Sequence, residues 1–362
     1  MRRKPIAKNC LLLGIALLIH CTYSGASHRS YLRILKRDYR FLPIDIIVEC
    51  LVALLTVIVS GSIVGGDFIP IRIDVQMSSK KLTDLFDGVS FFMLNHRGRL
   101  DLEGFLCVCF MTRRVQPAAF SILALNAELS RITQMSNTAA LGRIEFWKEV
   151  INATFEGGNL QMPIGQALGE TIRKYDLSKR WLLDLVEARR IWYQTNVYKS
   201  FATMEDYFAK TFVTVIYLIL QVHGIQGIHT DHVANHIGKA MGFVNTLRSI
   251  GLYGDNGGHV IPKELLSRYE LSADHFRPEH ANGVSSVIQH IAEHAKAHLQ
   301  RARSFKEKVP REAAGAFLFS AIVDHGLRVL SDCSYNPFDP RVQQRSARLL
   351  LDIMKHRLFA TY

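Results

Sequence analysis

The 362 residues carry 44 Lys and Arg against 32 Asp and Glu, a formal charge of +12, with 48% hydrophobic and 21% charged side chains. This length and apolar content exclude a disordered tail or a small disulfide scaffold and fit two or three domains with ample core. Nine basic residues and one acid fall in residues 1–40, leaving +4 for the other 322, so the charge flanks apolar sequence and no nucleic-acid partner is expected.

From Asn9 to Ser27 there is no charged side chain, and Arg2, Arg3, Lys4 and Lys8 precede the run. It reads as a first transmembrane helix (about 9–27) or, given Ser24-Gly25-Ala26, as a cleaved signal peptide. A second stretch, about 46–66, contains only Glu49 as a charge and is long enough for a second span. Asp45 and Glu49 stand one helical turn apart at its start and form a candidate membrane acidic pair. The six cysteines match no C-x-x-C metal or redox spacing and read as reduced, buried thiols.

After residue 100 apolar side chains recur at helical spacing, as in Trp181, Leu182, Leu185 and Val186. Helices are predicted near 117–135, 141–156, 163–174, 178–193, 204–222, 231–249, 281–306, 310–330 and 340–358. Pro163 and Pro310 suit first turns, and Ser178 and Thr230 suit N-caps. The apolar run from Thr211 to Gln221 is too short for a span and reads as a buried core helix. Residues 101–362 are therefore expected to form one all-α domain.

Three groups invite chemistry. His290-Ile-Ala-Glu293-His294 matches an H-x-x-E-H zinc pattern, extended by His298, but no distant third ligand is legible, and a solvated polar stripe is the preferred reading. His229, His232 and His236 suit a helix start. Gly251, Gly254, Gly257 and Gly258 read as a flexible loop without a phosphate-cradle ending. Trp147, Trp181, Phe146, Phe155 and Tyr193 read as packing residues. No metal or other cofactor is assigned.

The words Ser27-His28-Arg29-Ser30-Tyr31, Leu42-Pro43-Ile44-Asp45-Ile46 and Asn95-His96-Arg97-Gly98-Arg99 resemble subunit 5 of the endoplasmic-reticulum membrane protein complex, the membrane magnesium transporter family, over about residues 5–100. That resemblance implies two transmembrane helices, a small β-rich segment at roughly 67–98, and work beside other subunits of a complex that inserts membrane proteins. Magnesium transport is the weaker implication.

Farther on, Ile144-Glu145-Phe146-Trp147-Lys148-Glu149, Asp206-Tyr207, His236-Ile237-Gly238-Lys239-Ala240, Asn245-Thr246-Leu247-Arg248 and Val260-Ile261-Pro262-Lys263 resemble the squalene/phytoene synthase superfamily in order and spacing. Asn126-Ala127-Glu128-Leu129 and the stretch from Asp231 to Ala240 point within it to the complex I assembly factor 6 branch. The resemblance implies a terpenoid-synthase-like helical bundle over 101–362. In the active enzymes two carboxylate boxes hold magnesium and neutralise a departing diphosphate. Here the first box keeps only Glu128, and the two aspartates of the second fall on Ser249 and Tyr253, while Asn245 and Arg248 remain.

The expected chain is thus a fusion, with residues 1–100 a membrane domain and 101–362 a pseudoenzyme bundle in complex I assembly. The branch implies the mitochondrial inner membrane, with complex I assembly intermediates and membrane lipid as partners. The alternative is an endoplasmic-reticulum membrane complex subunit with an inert C-terminal extension, and an active prenyl-diphosphate transferase ranks below both. The apolar N-terminus, in place of an Arg/Ser-rich presequence, is expected to direct the chain as written to the secretory membrane.

Overall fold

The computed structural model describes residues 9, 10, 12–14, 16–24, 43–65, 101–132, 135, 137–158, 162–344 and 346–362. The chain divides into two compact units, Met1–Asp74 and Val75–Tyr362. Among the described residues every regular element is helical. The β-rich segment expected at 67–98 lies outside the described residues.

In the first unit the described residues of 9–24 form α1 and α2 runs Ile44–Gly65. They pack through small side chains: Ala53 is buried, and a Cβ on Gly14 would stand 2.8 Å from Val57 Cγ2. Among the described residues no helix is long and apolar enough to cross a membrane, so the two expected spans find no support there; residues 11, 15 and 25–27 of the first and residue 66 of the second lie outside the described residues. In α2 the charge-free part, Cys50 to Gly65, has sixteen residues and reaches about 24 Å at ~1.5 Å per residue. Asp45 and Glu49 both lie in the first turns of α2. Asp45 is exposed, whereas Glu49 Oε1 meets His20 Nδ1 of α1 at 2.9 Å.

The second unit is a helical bundle. Its helices are α3 (Leu102–Cys109), α4 (Gln116–Arg131), α5 (Asn137–Phe155), α6 (Pro163–Tyr175), α7 (Lys179–Thr195), α8 (Phe201–Phe208), α9 (Thr214–His223) and α10 (Ile228–Tyr253). They continue as α11 (Lys263–Arg268), α12 (Ala281–Arg303), α13 (Ser320–Asp332), α14 (Pro340–Gln343) and α15 (Ala347–Phe359).

Local chemistry explains most of the boundaries. Asp101 caps α3 through the Gly104 amide at 2.7 Å, and Ser200 and Thr203 form a reciprocal capping box on α8. Pro163 opens α6 and Ser178 precedes α7, as expected. Thr230 instead lies inside the first turn of α10. Pro310 precedes a short 3₁₀ turn, Arg311–Gly315, and α13 starts only at Ser320, so the long helix predicted at 310–330 is broken. The glycine-rich stretch is no flexible loop. Gly251 lies in α10, Gly254–Val260 is a 3₁₀ helix, and a Cβ on Gly258 would stand 2.3 Å from the Ala273 carbonyl oxygen.

The core is centred on α4, α9, α10 and α12, with Trp147, Phe208, Phe243, Phe276, Phe317 and Phe319 wholly buried. The run from Thr211 to Gln221 is the buried segment expected, entered through a π-helical turn, Ala209–Val213. Gly238 and Gly242 of α10 let this segment approach closely. A Cβ on Gly238 would lie 2.6 Å from Val213 Cα, and one on Gly242 would lie 2.3 Å from the Phe208 ring. All six cysteines are free, but Cys10, Cys50 and Cys109 are exposed, against the expectation of buried thiols.

Candidate functional site

Of the five residues expected to mark a degenerate diphosphate site, Glu128, Arg248 and Ser249 bond to other groups of the bundle. Glu128 on α4 is buried, and each carboxylate oxygen accepts from a guanidinium: Oε1 from Arg131 and Oε2 from Arg143, both at 2.9 Å. Asn245 on α10 is exposed. Ser249 donates to the Thr246 carbonyl at 2.7 Å, within its own helix. Arg248 donates to Glu103 Oε2 of α3 at 2.6 Å and to the Val342 carbonyl at 3.3 Å. Tyr253 ends α10, and its side chain lies outside the described residues.

Neighbouring Arg189 on α7 is buried and donates to Asn126 Oδ1 at 2.6 Å and to the Leu185 carbonyl at 3.3 Å. Burial pushes its pKa below the usual guanidinium value. The structure therefore spends polar groups on clasping helices together: Glu128 holds α4 to α5, Arg248 holds α10 to α3, and Arg189 holds α7 to α4.

A second polar cluster lies where α8, α10 and α12 meet. Glu205 Oε1 faces His294 Nε2 at 2.9 Å and His298 Nε2 at 3.4 Å, while Oε2 accepts from Lys239 Nζ at 2.6 Å. His298 Nδ1 meets His236 Nδ1 at 2.9 Å. Phe201 and Phe243 wall the cluster, with ring centroids 4.7 and 5.0 Å from that of His294. Hydrogen bonds from His294 and His298, with Lys239 beside them, hold the Glu205 carboxyl well below the usual carboxylate range. Burial, aided by His298, pushes His236 down to about 4.

The histidine stripe of α12 is thus solvated only in part, with the His294 side chain 36% and the His298 side chain 11% exposed. Glu293 of the H-x-x-E-H word is exposed and accepts from Gln289 at 2.9 Å, and His290 Nδ1 lies 2.9 Å from the Tyr269 hydroxyl. The acid beside His294 and His298 is Glu205, not Glu293. Glu205 lies 89 residues before His294 and carries no local signal for this role. His229 and His232 stand against Phe305 at 5.8 and 5.3 Å. Among the expected packing residues, Trp147 is wholly buried, Trp181 stacks on Tyr217 at 5.1 Å, and Phe146 lies at the surface under Arg143.

Residues 99–350 match the squalene/phytoene synthase family, and residues 11–77 match the membrane magnesium transporter family. The rat protein named NADH dehydrogenase (ubiquinone) complex I, assembly factor 6 is 30% identical over 256 residues, 70% of this chain and 77% of its own. Its human counterpart is 29% identical over 267 residues, 73% and 80% of the two chains. At the other end, ER membrane protein complex subunit 5 of Xenopus tropicalis is 32% identical over 95 residues, 26% of this chain and 72% of its own.

Solved structures of similar fold include a dehydrosqualene synthase in complex with ligand, at TM-score 0.66 and 15% identity, covering 77% of this chain and 96% of that one. Squalene synthase HpnC from Alicyclobacillus acidocaldarius superposes at TM-score 0.61 and 20% identity, covering 70% and 96%. The chain belongs to the squalene/phytoene synthase family through its helical C-terminal portion, joined to an N-terminal portion of the membrane magnesium transporter and ER membrane protein complex subunit 5 family.

Proposed function

We propose that the C-terminal bundle, about residues 101–362, is a non-catalytic member of its family that serves the assembly of mitochondrial respiratory complex I by binding assembly intermediates. The observation that carries this reading is Glu128. Magnesium needs several hard oxygen ligands, and the carboxylate at the first box has both oxygens occupied by Arg131 and Arg143. At the second box Ser249 and Asn245 stand without a carboxylate between Val233 and Gly254. These residues do not fit a magnesium-diphosphate centre. The named assembly-factor relatives support the same conclusion.

In this reading Glu128, Asn245, Arg248, Ser249 and Tyr253 mark a site whose polar groups now brace the bundle. The site of action is the mitochondrial inner membrane, where lipid is a further partner. The test is to incubate the purified full-length chain with farnesyl or geranylgeranyl diphosphate and magnesium. No diphosphate release is expected, and turnover would overturn the reading.

A second reading rests on the N-terminal match to ER membrane protein complex subunit 5. The chain would then act beside other subunits of that complex at the endoplasmic reticulum membrane, carrying the bundle as an extension. Purification of a tagged full-length chain separates the two: complex I subunits in the eluate support the first, and endoplasmic-reticulum complex subunits support the second.

A further inference from the structure

The cluster at α8, α10 and α12 lies outside the residues invoked above and has the makings of a site of its own. The three donor atoms, Glu205 Oε1, His294 Nε2 and His298 Nε2, all lie within 4.8 Å of one another. Two of their separations, 2.9 and 3.4 Å, bracket the edge of a tetrahedron built on bonds of roughly 2.0–2.1 Å, which is about 3.3 Å.

Two of the three donors, His298 and Glu205, are held from behind as in a metal centre. The imidazole that binds a metal through one nitrogen generally directs the other to a fixed partner, and His298 Nδ1 is held by His236 Nδ1 at 2.9 Å. The second oxygen of Glu205 is held by Lys239, so Oε1 alone faces inward. Phe201 and Phe243 supply an apolar wall. The donors still reach solvent, with His294 36% and Glu205 21% exposed at the side chain, which leaves an entry path.

We propose that Glu205, His294 and His298 form a binding site for a divalent transition-metal ion, with zinc the ion best matched by two imidazoles and one carboxylate. The ion ties α8 to α12 across α10. Lys239 and His236 position the ligands and do not themselves bind. This inference stands independently of the complex I reading, since it uses none of the same residues.

The test is made on the purified full-length chain, stripped with a chelator and titrated with zinc ion by calorimetry, with circular dichroism confirming that each variant is folded. One zinc per chain is expected, with a rise in the unfolding temperature. Outer-sphere partners tune metal affinity by roughly 10–100-fold, so His236→Leu is expected to weaken binding by about that factor. Removal of a ligand in Glu205→Gln or His298→Gln is expected to weaken it more. His280→Gln, on the surface, is expected to bind as the parent does. X-ray absorption at the zinc edge distinguishes two histidine ligands from nonspecific surface binding. A folded chain that takes up no stoichiometric zinc would overturn the proposal and leave the cluster as a hydrogen-bonded ion pair. Zinc binding unchanged in both folded ligand variants would overturn it equally.

Discussion

Arg143 on α5 donates to Glu128 Oε2 on α4 across fifteen residues of sequence, at 2.9 Å, while Arg131 takes Oε1 at the same distance. The buried Glu128 carboxylate is thereby a structural clasp between α4 and α5. The consequence is measurable. Glu128→Ala leaves two partly buried guanidinium groups without their acceptor and is expected to destabilise the bundle by about 1–3 kcal/mol. Urea denaturation monitored by circular dichroism checks this, and a variant as stable as the parent would show that the clasp contributes nothing.

Gly238 and Gly242 set the distance between α10 and the segment of α8 and its π-helical turn. The Cβ of Gly242→Ala would enter the Phe208 ring, and that of Gly238→Ala would meet the Val213 backbone. Overpacking of this kind typically costs about 1–3 kcal/mol. The expected result is a lowered urea midpoint for both variants, larger for Gly238→Ala because backbone yields less readily than a side chain. Unchanged midpoints would mean that the two helices move apart at no cost.

Phe208 is wholly buried against Phe243 and Phe212, at ring separations of 5.0 and 5.9 Å. Truncation to alanine removes an aromatic side chain from a packed core, for which about 3–5 kcal/mol is the usual loss. A loss under about 1 kcal/mol in the same unfolding measurement would contradict the packing described, because core truncations of this size do not cost so little.

Asp101 supplies a pH dependence. Burial, opposed by the Gly104 amide and reinforced by the neighbouring Glu103, raises its carboxyl from 3.8 to about 6. A carboxyl that binds its proton more tightly when folded adds stability that is fully present below the unfolded value and is lost as pH rises through the folded one. The parent chain is therefore expected to lose stability relative to Asp101→Asn between about pH 4 and pH 7, since asparagine can cap the helix without charging. Parallel stability profiles for the two chains would contradict this assignment.

The bundle was legible because apolar residues at helical spacing mark the buried faces of α4 to α10 and of α12. The reading failed where burial is not one-sided. Around Ala313 to Phe319 almost every residue is buried, so periodicity gives no boundary, and the chain turns through a 3₁₀ segment before α13. It also missed α3 and α11, whose eight and six residues are too few to display a period. At the candidate sites the spacing of His294 and His298 was visible, but their partner acid was not. Glu205 reaches them where Gly238 and Gly242 let α10 pack closely on α8 and its π-helical turn, a tertiary closeness with no counterpart in local sequence.

The central claim is that this bundle serves complex I assembly without catalysis. The most direct measurement is to delete the gene in its own organism and quantify assembled complex I by native gel electrophoresis and in-gel NADH dehydrogenase activity. The account predicts loss of assembled complex I, restored by re-expression of the full-length chain. Complex I at parental levels in the deletion strain would contradict it.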